Sequence, residues 1–572
     1  MTGTVFLLFI THQIIYILHG GSTWDEYGSI INASKQVYKF YIFLIDYNNA
    51  IFQQDISPPE HYGGLLFVPA FLSTISDSFI IYFSQILDYL TISDTINNIE
   101  SALIIRHIVI NLYVVVILAI ITSQLNIIYS KKFTLTFLVF LLLIPSINGH
   151  SLFNLTDIPF MFQYFLASLV FLKYTNNNSM KKNAITGFLF GLCLLVRFNA
   201  IVFLLFLFLF DLLIKVFYHF KFKVGNYQLT LFKKYTTIVT FAFLTLFIGT
   251  PVAWRTPLRW LQGAIKYQFN QDNNIRTIFN GEILLSANTS YDYLLNWFLV
   301  KTPIPYIFLF LLSIYIFFKN KNNQNKLFTF SLFFIALTFI SFIIYRPVTY
   351  DGIRHYLFLY PFVVLCSIHA LFEVFENKKR ILNTFILFIS VFLVYTQSGL
   401  GAYKYVYLNE FVNEERISID CEKNISQSGC GDWHTDYWGF AGKELVKKID
   451  FNQNKTIYFC EPHYTYSFFQ PLDSPWTLKN GSFVFDDNFP FTQTKYFYYK
   501  SDMLKHLRSD EFIGMSFLTL NYHRPPLDSC GLEDLDKEKF DVVCNILDGV
   551  QVRLRGVPIS LNYLSECDIK KL

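Results

Sequence analysis

What most constrains this chain is a recurring pattern: long apolar runs almost free of charge, joined by short loops whose charge is of one sign. A helix needs about 20 apolar residues to cross the hydrocarbon core of a bilayer. Eleven segments approach that requirement, at 4–20, 103–127, 133–147, 158–172, 184–196, 199–216, 235–253, 303–318, 327–345, 355–374 and 381–398. Several are short, which implies tilted or partly re-entrant helices. Only 15% of the 572 residues are charged and 53% are hydrophobic, whereas soluble domains carry about 25% charged residues. Much of the chain therefore lies in lipid. The 65 phenylalanines suit lipid-facing helices and interfacial belts. The net charge of +4 leaves no footprint for nucleic acid, and neither a Walker loop nor a zinc-type cysteine spacing is present. A channel, a transporter, a membrane enzyme and a receptor all fit the composition.

Loop charge orients the spans. The connectors 128–133, 173–183, 215–234, 319–326 and 377–381 hold sixteen Lys/Arg and no Asp or Glu. Short loops of this kind face the cytosol. All five fall on one face if the apolar but interrupted stretch 62–90, broken by Pro69, Ser76, Asp77 and Asp88, lies along the membrane surface. The alternative is one more crossing at 62–90, which would put the Lys131–Lys132 loop on the wrong side. The expected fold is thus an α-helical polytopic membrane protein with about 11 transmembrane helices, an internal N-terminus and an external C-terminus. The loop 21–102, the turn 148–157, the loop 254–302 and the turn 346–354 are external. Within 254–302, Leu258, Leu261, Ile265 and Phe269 recur at helical spacing, which predicts a second surface-lying amphipathic helix.

Two domains are expected: a membrane domain at 1–399 and an external α/β domain at 400–572. In the second, "TIYFCEP" (456–462) and "SFLTLNYH" (516–523) read as strands and "GKELVKKIDF" (442–451) as a helix. Six of the eight cysteines lie here: Cys421, Cys430, Cys460, Cys530, Cys544 and Cys567. On an external face they read as up to three disulfides, their pairing open, against the alternative of buried free thiols. Seven Asn-x-Ser/Thr sequons, at Asn32, Asn154, Asn177, Asn288, Asn424, Asn454 and Asn480, add a weak indication of a lumenal face.

Ionisable residues at membrane depth usually mark a function. Asp25 and Glu26 follow the first span. Glu60 and His61, in "DISPPEHYGGLLF", precede the surface segment. Asp157, in "NGHSLFNLTDIPF", sits between spans 3 and 4, and Arg354 and His355, in "RPVTYDGIRHYLFLYPF", open span 10. Each alone has a plain explanation as a solvated acid, a helix cap or an interfacial anchor. The loop charges, however, put all of them on one face. A carboxylate there suits general-base removal of a proton from an attacking hydroxyl. An arginine suits a phosphate, through parallel charge-assisted hydrogen bonds. Base, phosphate clamp and lipid-facing groove together describe transfer of a sugar from a lipid phosphate. The anomeric carbon then passes through an oxocarbenium-like state while the departing phosphate gathers charge that Arg354 stabilises. A proton-coupled transporter would instead carry its acids near mid-bilayer.

These residues resemble the GT-C glycosyltransferases, a superfamily of polytopic enzymes that includes the protein O-mannosyltransferases and the lipid A aminoarabinose transferase. "WDEYG" resembles the acidic pair of the first external loop, "FNLTDIPF" the second acidic site, and "PPEHYGGLLF" the proline-bearing stretch before a surface segment. "GFLFGLCLLVRFNAIVFLL", "YDGIRHYLFLYPF" and "DWHTDYWGFAGKEL" are similar to one branch of the superfamily. The likeness covers most of 15–400, and the order of the motifs is more specific than any one of them. It implies Asp25, beside Glu26, as catalytic base and Asp157 as a second essential acid. It implies Arg354 and His355 at the donor phosphate, and Glu60 and His61 on the acceptor side. The donor would be a polyprenyl-phosphate sugar and the acceptor a protein or glycolipid hydroxyl. Oligosaccharyltransferase members use Asp-x-Asp with a divalent metal. The adjacent pair here departs from that pattern, so no cofactor is required, although Asp25, Asp157 and His61 would suit a hard cation. The compartment implied is the endoplasmic reticulum, or else a bacterial inner membrane. A polytopic lipid or solute transporter sharing the cavity is the alternative from another class, and a non-catalytic relative with a C-terminal binding module is a third.

Overall fold

The computed structural model describes residues 2–18, 20–21, 23, 92–174, 179–222, 227–250, 253–254, 256–269, 276–319, 325–413, 433, 435–450, 456–460, 476–479, 482–485, 496–497, 516–522 and 540–571. Asp25, Glu26, Glu60, His61, the segment 62–90, Cys421, Cys430 and Cys530 lie outside the described residues.

Each of the eleven apolar segments is helical. They form α1 (Thr2–Ile17), α2 (Ile92–Ile128), α3 (Lys131–Leu142), α5 (Asp157–Tyr174), α6 (Met180–Val196), α7 (Ala200–Phe222), α8 (Tyr227–Ile248), α11 (Ile304–Lys319), α12 (Lys326–Tyr345), α13 (Tyr360–Val374, led by a 3-10 turn at Arg354–Leu359) and α14 (Lys379–Thr396). Short helices α4 (Pro145–His150), α9 (Pro257–Phe269) and α10 (Tyr293–Lys301) lie between them. Among the described residues, Arg106–Ile128, Lys326–Tyr345, Arg354–Val374 and Lys379–Thr396 are each long and apolar enough to cross a membrane. Helices α10 and α11, bent by 117°, make a fifth if taken as one span. The chain is a multi-pass membrane protein, and the figure of eleven crossings rests on loop charge.

Burial separates a core from a rim. Every residue of α5 from Asp157 to Leu172 is buried, with Phe203 of α7, Phe334 of α12 and Phe362 of α13 packed around its Tyr164. In contrast Leu387, Phe388 and Val391 on α14, and Phe308 and Leu311 on α11, are more than half exposed. Apolar exposure on this scale exceeds what a soluble monomer tolerates and is what lipid-facing helices require. Close approach is used where α6 meets α8. A Cβ at Gly187 would strike the backbone of Ile238, and one at Gly191 would strike Thr245 and Ala242. Small residues four apart are how membrane helices bring their backbones together. Gly191→Leu is therefore expected to destabilise the protein by about 1–3 kcal/mol through overpacking, read as a lowered thermal midpoint in detergent.

Helix α9 confirms the amphipathic pattern and gives its direction. Trp260 and Ala264 are buried, Trp260 edge-on to Phe198, whereas Leu258 is 74% and Ile265 42% exposed. Leu258 and Ile265 thus face outward, as a surface-lying helix demands, while Leu261 packs against the core.

Past α14, the segment 397–412 lies across the ends of α3 and α10. Gln397 donates to the Leu143 carbonyl, Lys301 to that of Tyr405, and Asn409 to that of Thr302. Beyond it are α15 (Gly442–Val446) and a five-stranded sheet of order β6-β3-β7-β9-β8, built from β3 (Thr456–Phe459), β6 (Tyr496–Phe497), β7 (Ser516–Tyr522), β8 (Phe540–Leu554) and β9 (Val557–Lys571). Two hairpins pair β1 (Arg276–Phe279) with β2 (Glu282–Leu285) and β4 (Trp476–Lys479) with β5 (Ser482–Phe485). Both predicted strands are present. The predicted helix 442–451 is shorter, ending at Val446, and just past its end Lys448 binds Asp548 at 2.9 Å on the β8–β9 hairpin. That hairpin turns at Arg555–Gly556, both at positive φ (53° and 88°), the geometry of a two-residue hairpin loop. Cys544 and Cys567 face each other across it and form a disulfide. Cys460 is also disulfide-bonded.

Candidate active site

The site is assembled where α5 begins, where α6 ends and at the 354–359 turn. Ahead of α5, the Asn154 side chain accepts from the backbone N–H groups of Thr156 (3.0 Å) and Asp157 (2.7 Å), a local turn typical of asparagine. Its amide donates to Asp157 Oδ2 at 2.9 Å. Asn154 is wholly buried in this role, so the sequon there is structural. The other oxygen of Asp157, Oδ1, is ion-paired with Arg197, which ends α6. Both oxygens of this buried carboxylate are therefore engaged. The guanidinium it holds keeps 21% of its side chain exposed.

The second guanidinium comes from "TYDGIR". Asp351 and Gly352 take successive positive φ values, 56° and 69°. That turn brings Asp351 Oδ2 to 3.1 Å from Arg354, and Gly352 N–H donates to the Tyr293 hydroxyl at 3.1 Å. Arg354 is buried, with its guanidinium 4.7 Å from the Trp438 ring and 5.0 Å from that of Tyr350. His355 packs edge-on against Tyr350. Cation–π stacking on desolvated rings fixes the plane of a guanidinium and leaves its edge for an anion.

The wall behind Arg354 comes from a distant part of the chain. In "DWHTDYWGF", the buried Asp436 accepts from the Tyr405 hydroxyl and from the backbone N–H groups of Phe440 (3.0 Å) and Ala441 (2.9 Å). The next residue, Tyr437, shares a 2.8 Å hydrogen bond with His150 Nε2, and burial, then the charges of Lys301 and Arg354, hold that imidazole well below its ordinary pKa. Tyr437 is itself raised, first by burial, and stands in the fields of Asp351, Arg354 and Asp157. Asp157 and Arg354, two of the predicted site residues, thus both lie within electrostatic reach of one phenol. Neither Asp25 and Glu26 nor Glu60 and His61 can be placed relative to it, since they lie outside the described residues.

Burial pushes the Asp436 carboxyl up to about 6, against the opposing pull of Tyr405 and three backbone N–H groups. The folded value is above the unfolded one, so the stability this group contributes is complete below about pH 4 and is lost as pH rises through about 6. Asp436→Asn is expected to flatten the stability profile across that window by ~3 kcal/mol at most, measured by thermal unfolding at stepped pH.

Sequence reasoning passes over Arg197, Asp351, His150, Tyr437 and Trp438. Arg197 closes a span at its external end, the same position that singles out Arg354, and could have been found that way. His150 and Asp351 stand inside the quoted motifs. Only their packing gives them a place. Among the described residues, no group of three His, Cys, Asp or Glu could hold a metal ion.

No family model and no curated protein matches the chain. Among solved structures, the chain is similar to ArnT. The ArnT of Cupriavidus metallidurans bound to undecaprenyl phosphate aligns at 9% identity and a TM-score of 0.46, covering 99% of this chain and 97% of that one. The same protein in the apo state aligns at 10% identity and a TM-score of 0.44, covering 99% and 98%.

Proposed function

We propose that this chain is an inverting glycosyltransferase that moves a sugar, mannose-type by preference, from a dolichyl or other polyprenyl phosphate to a hydroxyl acceptor on the external or lumenal face. The observation that carries the reading is a pair of guanidiniums, buried Arg354 and partly exposed Arg197, each set by its own carboxylate and both in the electrostatic reach of His355, where apolar helices end. A lipid phosphate enters such a place from the side, with its tail in the bilayer and its anionic head against the guanidiniums.

In the single displacement, the acceptor oxygen attacks the anomeric carbon. The acceptor's proton passes to Asp25, with Glu26 beside it, and the C1–O bond to the phosphate breaks. The electron pair leaves on the lipid phosphate, whose growing charge Arg354 and Arg197 neutralise. Asp157 orients Arg197, while His355, Glu60 and His61 line the donor and acceptor sides. The disulfide Cys544–Cys567 suits the oxidising lumen of the endoplasmic reticulum, or the outer side of a bacterial inner membrane.

The test supplies the detergent-purified protein with labelled polyprenyl-phosphate mannose, glucose or aminoarabinose and an extract of candidate acceptors. Label in a product whose mass identifies the acceptor supports the reading. Labelled lipid that binds but keeps its sugar would make the protein a lipid carrier instead.

A further inference from the structure

Two of the seven Asn-x-Ser/Thr sequons lie wholly within the described residues, at Asn154 and Asn288. The fold treats them in opposite ways. Asn154 is buried, with both ends of its side-chain amide bonded to Thr156 and Asp157. A sugar on its nitrogen would take the bond from Asp157 and find no room in a close-packed interior. Asn288 is exposed, and its side chain makes no hydrogen bond among the described residues.

The turn that carries Asn288 is held from behind. Strand β2 passes into a 3-10 turn at Ser286–Asn288. The carbonyl of the buried Ser286 accepts from the Thr349 N–H at 3.4 Å, and the buried Thr289 places its hydroxyl 3.2 Å from that of Thr349. Ala287 and Asn288, between these two anchors, are exposed. The middle residue of the sequon thus faces the protein while its acceptor amide faces outward. Thr349, and Tyr293 through the Gly352 N–H, tie this turn to the loop that carries Asp351 and Arg354. Asn288 therefore lies on the side of the candidate active site, the face that loop charge makes external.

We propose that Asn288 is N-glycosylated in the lumen of the endoplasmic reticulum. The donor is an oligosaccharide on a polyprenyl pyrophosphate, used by a separate transferase. The Asn288 Nδ2 bonds to the anomeric carbon as the C1–O bond to the pyrophosphate breaks. The electron pair leaves on the pyrophosphate, and one amide proton passes to a base of that transferase. Ser290 supplies the hydroxyl that the acceptor sequence requires. Because the amide has no bond to give up, the folded chain accommodates the glycan where it stands. The modification goes beyond the transfer reaction and rests only on the lumenal placement of this face.

The experiment expresses the full chain in eukaryotic cells and releases glycans with peptide N-glycosidase in heavy-oxygen water. Each modified asparagine becomes a labelled aspartate, read by mass spectrometry of the peptides. The Asn288 peptide should carry the label and the Asn154 peptide should not. Asn288→Gln and Ser290→Ala should each abolish the same glycan, read as one lost step in gel mobility. Glu282→Thr provides a second acceptor at Asn280, exposed in the β1–β2 turn, and reports whether the loop reaches the lumen. Label at Asn280 in that variant with none at Asn288 would overturn the site. Label at neither would overturn the lumenal placement and the proposal with it, and label at Asn154 would overturn the choice by burial. None of these outcomes depends on sugar transfer by the protein itself, which the labelled donors test separately.

Discussion

An Arg354→Ala variant is expected to lose about 10²- to 10³-fold in the rate of sugar transfer at saturating donor, with much less change in donor KM. The reason is where charge develops. The lipid phosphate is anionic before and after the reaction, but it gains negative charge on the bridging oxygen as the C1–O bond breaks. A guanidinium fixed over Trp438 and Tyr350 meets that charge without reorganising. Arg354→Lys should recover little, because a point charge on a flexible stem has neither the planar fork nor the stacked face. Initial rates across donor concentrations separate the cases. A rise in KM with unchanged kcat would mean that Arg354 holds the donor equally in ground and transition states. Since removing Arg354 also takes an ion-pair partner from Asp351, Asp351→Asn/Arg354→Ala should keep the same kinetic loss while recovering stability.

The second large effect is a coupling. Asp157→Asn and Arg197→Ala are each expected to lower transfer by about 10²-fold, and the double variant by scarcely more than either. Asp157 has Arg197 on one oxygen and Asn154 on the other, which makes it the group that sets Arg197. If the two act as one unit, their effects do not add. A double variant whose loss is the product of the single losses would make Asp157 an independent acid. Breaking a buried pair also costs about 3–5 kcal/mol, so rates must be normalised to folded protein.

The spans were legible because run length and loop charge are local properties. Each of eleven apolar runs became a helix, and loop charge alone was enough to group Asp157 with Arg354. Helix α9 was legible for the same reason, through its period. The partners of those site residues were not. Trp438 reaches Arg354, and Tyr437 reaches His150, from a segment more than 80 residues beyond one and 280 beyond the other. No local pattern encodes such a meeting. Asp351 depends on two consecutive positive φ values, which "YDG" permits but does not require. Arg197 was hidden by its position, since a charge ending a span reads first as an interfacial anchor. The intramembrane carboxylate Asp211 was lost inside an otherwise apolar run, although the lysine four residues on is the spacing that places an ion pair on one helical face.

The central claim, transfer rather than transport, is tested most directly by wild type and Asp25→Asn in parallel, with labelled polyprenyl-phosphate sugar, measuring both donor bound and sugar transferred. The account predicts that both proteins bind the lipid, because Arg354 and Arg197 hold its phosphate. Only wild type should turn it over, with Asp25→Asn slower by about 10²- to 10⁴-fold, the contribution of a general base. Transfer by Asp25→Asn at the wild-type rate would contradict the assignment of the base. Sugar left on the lipid by both proteins would contradict the enzyme itself.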